Sequence, residues 1–184
     1  PEYILPKIFN SSITIQFWAY IDSSHDSGFG YIYRLGYGLD PWHSPSSDNN
    51  SDMTFGIYNT QSGQTWTFYI QFYVSSTKKR YLQMGDGTNK PVTQYLDSWN
   101  HYTIIRDHND DTLSGNLKLY INGDYQALNY IDNGAGTPNN FTLNGSGDIG
   151  NNFKGKLKHF TIFGNTKSLY EIKQSIKDNQ PNLE

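Results

Sequence analysis

In Ile13-Thr14-Ile15-Gln16-Phe17-Trp18-Ala19-Tyr20-Ile21 every second residue is apolar. In an extended chain Ile13, Ile15, Phe17, Ala19 and Ile21 therefore share one face, leaving Thr14, Gln16, Trp18 and Tyr20 on the other. Nine residues at period two cannot form one apolar stripe on a helix, so the segment is read as a β-strand with one face destined for a core. The same pattern recurs at Phe29 to Leu35, Met53 to Tyr58, Trp66 to Val74, Trp99 to Asp107, Asn116 to Ile121 and Lys156 to Phe163. Shorter strands are expected at Tyr3 to Phe9, Arg80 to Met84, Val92 to Leu96, Asn140 to Leu143 and Asp148 to Gly150. Between them, Ser23 to Gly28, Asp86-Gly87, Asn122-Gly123-Asp124, Gly134 to Asn139 and Asn144 to Gly147 supply the Gly, Asn and Asp that tight reversals need.

Many short strands in one chain point to two packed antiparallel sheets or a barrel. One helix is expected, where Leu169, Ile172 and Ile176 recur at helical spacing behind a Ser168 N-cap and a Glu171 that completes a capping box. Residues 178–184 read as a frayed tail. The 184 residues suit one domain, because a chain of this size buries roughly 70% of its unfolded surface. The opening Pro1-Glu2-Tyr3 suggests a processed protein or a domain cut from a longer one.

Charge and composition narrow the function. With 14 Lys+Arg against 17 Asp+Glu the net charge is −3, which gives no overall basic footprint for nucleic acid. No apolar run approaches the 18 residues of a membrane-spanning helix, so direct membrane insertion is not expected. The absence of cysteine removes disulfides, thiolate catalysis and thiolate zinc sites.

Three ordered stretches carry a family resemblance. Ile13 to Tyr20 is similar to a T-I-S-F-W-V strand. Trp99-Asn100-His101-Tyr102-Thr103-Ile104 with Leu117-Lys118-Leu119-Tyr120-Ile121-Asn122-Gly123 is similar to a W-H-H-V-A-V … L-K-L-Y-V-N-G hairpin. Ile149-Gly150, Phe153-Lys154-Gly155-Lys156-Leu157 and the strand to Phe163 resemble an I-G … F-x-G-x-I-D ending followed by a short helix. The pattern is that of the laminin G-like group of the concanavalin A-like lectin/glucanase superfamily. The resemblance implies an all-β antiparallel jelly-roll β-sandwich with one short C-terminal helix, with Trp99 and Phe17 packed between sheets and Asn122-Gly123 at a hairpin turn. It implies an extracellular, cell-surface or virion-surface setting. It leaves activity open, since the superfamily holds lectins, adhesion modules, hydrolases and structural modules.

A hydrolase of this superfamily needs two carboxylates about 5 to 9.5 Å apart. The chain has three Glu, at positions 2, 171 and 184, none in an expected sheet strand, and no strand carries carboxylates at i, i+2 spacing. Five scattered His and no G-x-S-x-G elbow remove nucleophilic triads, so no catalytic residue is assigned. His101 is read as a hydrogen-bonded strand residue.

Calcium is the one cofactor for which oxygen-rich clusters exist: Asp48, Asn50 and Asp52 first, Asp107 and Asp111 second. The first precedes a strand where the pentraxin branch of the superfamily carries an Asp-Asn calcium pair. Its partner acidic loop is here only Asn151-Asn152, and both clusters also read as plain solvated turns.

The aromatic surplus, 15 Tyr, 10 Phe and 4 Trp, is the strongest functional signal. A sugar ring stacks its C–H face on Trp or Tyr while its hydroxyls bond to Asn, Asp and Gln. The candidate ligand-binding residues are Trp18, Tyr20, Tyr69, Tyr73, Gln16 and Gln71 on the non-core sides of their strands, with Trp42 and Tyr37 on the long loop 37–52. Cross-strand stabilisation by aromatic pairs is the competing explanation. The expected function is a non-catalytic recognition module for a glycan or glycoprotein. The alternative is a structural or protein-interaction module of a fibre or capsid-like assembly that docks neighbouring subunits.

Overall fold

The computed structural model describes residues 2–4, 8–9, 12–24, 28–36, 52–60, 65–75, 78–85, 92–107, 109, 117–127, 129–132, 142–143 and 146–181. In chain order the strands are β1 (Glu2–Ile4), β2 (Ile8–Phe9), β3 (Ile13–Ile21), β4 (Gly28–Gly36), β5 (Asp52–Thr60), β6 (Thr65–Ser75) and β7 (Lys78–Gly85). They continue with β8 (Trp99–Arg106), β9 (Leu117–Ile121), β10 (Asp124–Gln126), β11 (Asn129–Asp132), β12 (Thr142–Leu143), β13 (Ser146–Asn151) and β14 (Gly155–Phe163). A 3-10 turn occupies Val92–Tyr95, and helix α1 spans Leu169–Asp178.

Among these elements the strands form an antiparallel seven-stranded sheet in the order β1-β13-β4-β5-β6-β7-β11 and a five-stranded one in the order β10-β9-β8-β3-β14. A two-stranded pair, β12-β2, completes the set. The large sheet belongs to one compact unit and the five-stranded sheet to a second, formed by Ser11–Ser24, Thr93–Ala127 and Lys154–Glu184.

Within the first unit, Ile32, Tyr33, Leu35, Phe55, Ile57, Phe68 and Ile70 are buried. Phe55 anchors them, its ring 6.1 Å from Tyr33 and 5.7 Å from Phe68. In the second unit the alternation of β3 is realised in register: Ile15 pairs with Ile104, Phe17 with Tyr102 and Ala19 with Asn100. Phe17 stacks between Tyr102 at 5.4 Å and Phe160 at 5.7 Å. The Asn122-Gly123 reversal forms as its chemistry requires, with φ of 53° and 84°. The Asn122 side chain ties it to β8, accepting from the His101 N–H at 2.9 Å and donating to Asn100 Oδ1 at 2.8 Å.

One expected strand is replaced. Val92–Tyr95, inside the expected strand Val92 to Leu96, forms the 3-10 turn, where Val92, Tyr95 and Leu96 repeat at i, i+3 and i+4, a helical spacing. The helix begins where its cap dictates. Ser168 Oγ accepts from the Glu171 N–H, and the Glu171 carboxylate accepts from the Ser168 N–H at 2.8 Å.

Candidate functional site

On β3 the alternation does not separate buried from exposed. Thr14, Gln16 and Trp18 are as buried as their apolar neighbours, and only Tyr20 is half-buried. The chain beyond β14 explains this. Thr14 Oγ1 donates to the Asn165 carbonyl at 2.8 Å and accepts from the Lys167 N–H at 3.0 Å, which holds that segment to the Thr14 face. Ile172 of α1 is fully buried. A Cβ at Gly123 would lie 3.3 Å from Lys173 and 3.4 Å from Ile176, so α1 rests beside the hairpin turn.

Beneath this cover Gln16 Nε2 donates to Thr103 Oγ1 at 3.2 Å, and Thr103 Oγ1 lies 3.5 Å from His101 Nδ1. The Trp18 ring meets His101 edge-on at 5.3 Å. Burial pulls the His101 pKa from 6.5 down to about 4, so the ring is neutral and structural. Gln16 and Trp18, expected to face a ligand, are thus part of a covered polar layer.

Tyr69 is also corrected: it is 5% exposed. Its ring lies over Gly56, its cross-strand partner on β5, where an added Cβ would come within 2.6 Å of Tyr69 Oη. The glycine makes the space that the phenol fills. Tyr69, Gln71 and Tyr73 belong to β6 of the seven-stranded sheet, and Gln16, Trp18 and Tyr20 to β3 of the five-stranded one. The two sets therefore do not share one sheet face. Side chains of Gln71, Tyr73 and Asp52, and the whole of Tyr37, Trp42, Asp48, Asn50 and Asp111, lie outside the described residues. Asp107 is described: its Oδ1 accepts from Ser12 Oγ at 3.3 Å and from the Asn109 N–H at 3.1 Å, an Asx-type turn. Among the described residues no three His, Asp or Glu gather into a metal-sized group.

Tyr20 has a partner that was expected in the core. Trp99 pairs with Tyr20 across β3 and β8, places its ring on the Thr14 face opposite Phe17, and is half-buried. The two rings meet edge-to-face at 6.1 Å. Two exposed lysines of the edge strand β14 overhang them, Lys156 Nζ 5.7 Å from the Tyr20 ring centre and Lys158 Nζ 5.2 Å from that of Trp99. Lys158 also lines a recess of about 520 Å³ with His159, Asp178, Asn179, Gln180 and Pro181. His159 stands at a bulge, with φ of 54°, where the β14–β3 register slips between Lys158 and Thr161. Such a bulge re-aims side chains and blunts an open edge. Chemically the patch offers two ring surfaces, two ammonium groups, a carboxylate and two amides, a set that suits a polyhydroxylated ligand. Register arithmetic could have found Trp99: it lies three residues from Tyr102, the partner of Phe17, and so on the opposite face.

A family model described as the concanavalin A-like lectin/glucanases superfamily, laminin G type, matches residues 5–173. No curated protein sequence matches the chain. Similar solved structures include the receptor binding domain of the botulinum neurotoxin C/D mosaic serotype, at TM-score 0.59 and 15% identity over 92% of this chain and 36% of that one. The binding domain of botulinum neurotoxin DC in complex with rat synaptotagmin II gives TM-score 0.58 and 15% identity, over 94% of this chain and 37% of that one. The serotype G binding domain gives 0.54 and 16%, over 91% and 36%. The chain spans just over a third of the length of each of these proteins, and at such identities the likeness shows the fold.

Proposed function

Because the chain belongs to the laminin G-like group of the concanavalin A-like lectin/glucanase superfamily, we propose that it is a non-catalytic recognition module that binds glycan at an extracellular or particle surface. The observation that carries this reading is the half-buried Tyr20–Trp99 pair beside a recess rimmed by Lys158, Asp178, Asn179 and Gln180. A sugar takes its stacking surface from the rings and its hydrogen bonds from the rim. The similar solved structures support a binding role at the coarse level, being binding domains of neurotoxins. The missing Glu pair argues against hydrolysis.

A glycan array screened at low salt, with and without calcium, tests the proposal. The expected result is selective retention of one glycan class. Retention that needs calcium would support an ion site at Asp48, Asn50 and Asp52 or at Asp107 and Asp111, and retention without it would leave both clusters as turn formers. An array with no hit would overturn the glycan reading in favour of a module that docks neighbouring subunits.

A further inference from the structure

The net charge of −3 conceals a segregation along the chain. Residues 154–177 carry six lysines against one carboxylate, Glu171, whereas the other 160 residues carry eight cations against sixteen carboxylates. Two of the six lysines are occupied. Lys167 Nζ is 3.0 Å from Glu171 Oε1, and Lys154 Nζ donates to the Ser24 carbonyl at 3.1 Å. Lys156 and Lys158 have no carboxylate partner among the described residues and pair with Tyr20 and Trp18, so they stand on one face of β14. Residues two apart on a strand leave the backbone about 7 Å apart, so the two lysines rise side by side from β14, one ammonium over the Tyr20 ring and the other over that of Trp99.

From this geometry we infer that Lys156 and Lys158 form an anion subsite for an acidic saccharide, one bearing sulfate or carboxylate groups, beside the Tyr20–Trp99 surface. The inference rests on the glycan reading and narrows its ligand class. Neutral sugars need no ammonium pair, and exposed lysines over half-buried rings gain only a weak cation–π contact, which leaves both ammonium groups open to an anion. An anion bound here displaces neither lysine from its ring, since an ammonium has three donors and uses only its side toward the ring. The acidic remainder of the chain repels polyanions and so directs them to this edge.

The test is titration of the intact chain with a heparin-derived octasaccharide, with a fully desulfated, N-acetylated octasaccharide as its weakly charged counterpart, at 50 and 300 mM salt. The sulfated probe should bind, weaken steeply with salt and lose about tenfold or more in affinity in Lys156→Gln/Lys158→Gln. Lys156→Arg/Lys158→Arg should keep most of the affinity, and Lys177→Gln should match the parent. Thermal melts of each variant verify the fold, and the arginine pair distinguishes lost charge from lost structure. Undiminished binding by the glutamine pair would overturn the location. Array hits confined to neutral glycans, with no octasaccharide binding, would overturn the anionic class while leaving the glycan reading intact. Failure of both would remove both. Tighter retention on vesicles containing 30% phosphatidylserine than on the octasaccharide would overturn the saccharide in favour of a lipid surface.

Discussion

Acidification from pH 7 to pH 4 should destabilise the chain through His101. Its ring lies under Trp18, 2% exposed, with Thr103 as its polar neighbour, and burial lowers its pKa to about 4 from 6.5. Once unfolded, the same histidine takes up a proton near 6.5. Between these values the unfolded chain binds more protons than the native one, so stability falls as pH falls through this window and levels off below about 4. At 1.36 kcal/mol per unit, the full effect is about 3 kcal/mol. Urea unfolding at pH 7, 5.5 and 4.5 for the parent and for His101→Gln isolates it, since the other titrating groups are common to both. The parent should lose about 2 kcal/mol more than the variant between pH 7 and 4.5. Equal pH slopes, within about 0.5 kcal/mol, would show that His101 protonates freely and that the cover over the Thr14 face is open.

Ile172→Ala should cost about 2–4 kcal/mol in urea unfolding, because Ile172 is the fully buried residue of α1. Gly56→Ala should lower stability by about 1–3 kcal/mol, since both the Tyr69 phenol and the Gly30 carbonyl must move to admit a methyl group, and Tyr69→Phe should recover only part of that loss. Ser168→Ala should cost about 1 kcal/mol by removing the N-cap of α1. The Glu171 carboxylate, held at about 2 by the Ser168 N–H, Lys167 and the Ser168 hydroxyl, supports the cap at pH values above its unfolded pKa. Helicity followed by circular dichroism should accordingly hold near neutrality and decline as pH falls toward 2.

The period-two segments were legible because each strand's alternation is local, and the Ser168–Glu171 cap because it is a four-residue pattern. Two strands carry no such local signal. Asp124–Gln126 is only three residues long, and Asn129–Asp132 lies next to turn-forming residues with no extended alternation. The binding face was less legible for a physical reason. Alternation assigns residues to faces but does not say whether a face is covered. Gln16 and Trp18 lost their expected exposure to a segment some 150 residues away, through Thr14 bonded to Asn165 and Lys167. Tyr69 lost its exposure to a glycine on the neighbouring strand. Lys156 and Lys158 are hidden in the whole-chain charge, which averages a basic segment with an acidic remainder. Tyr20 alone of the described aromatic candidates keeps partial exposure, and it does so beside Trp99.

Amide chemical-shift mapping of the 15N-labelled chain, with the glycan that the array retains, tests the central proposal most directly. Perturbations should cluster on Tyr20, Trp99, Lys156 to His159 and Asp178 to Gln180, with the Trp99 indole N–H among the largest, and should leave β5 and β6 unchanged. Perturbations confined to loop 37–52 or to the seven-stranded sheet, with Trp99 and Lys158 unmoved, would contradict it.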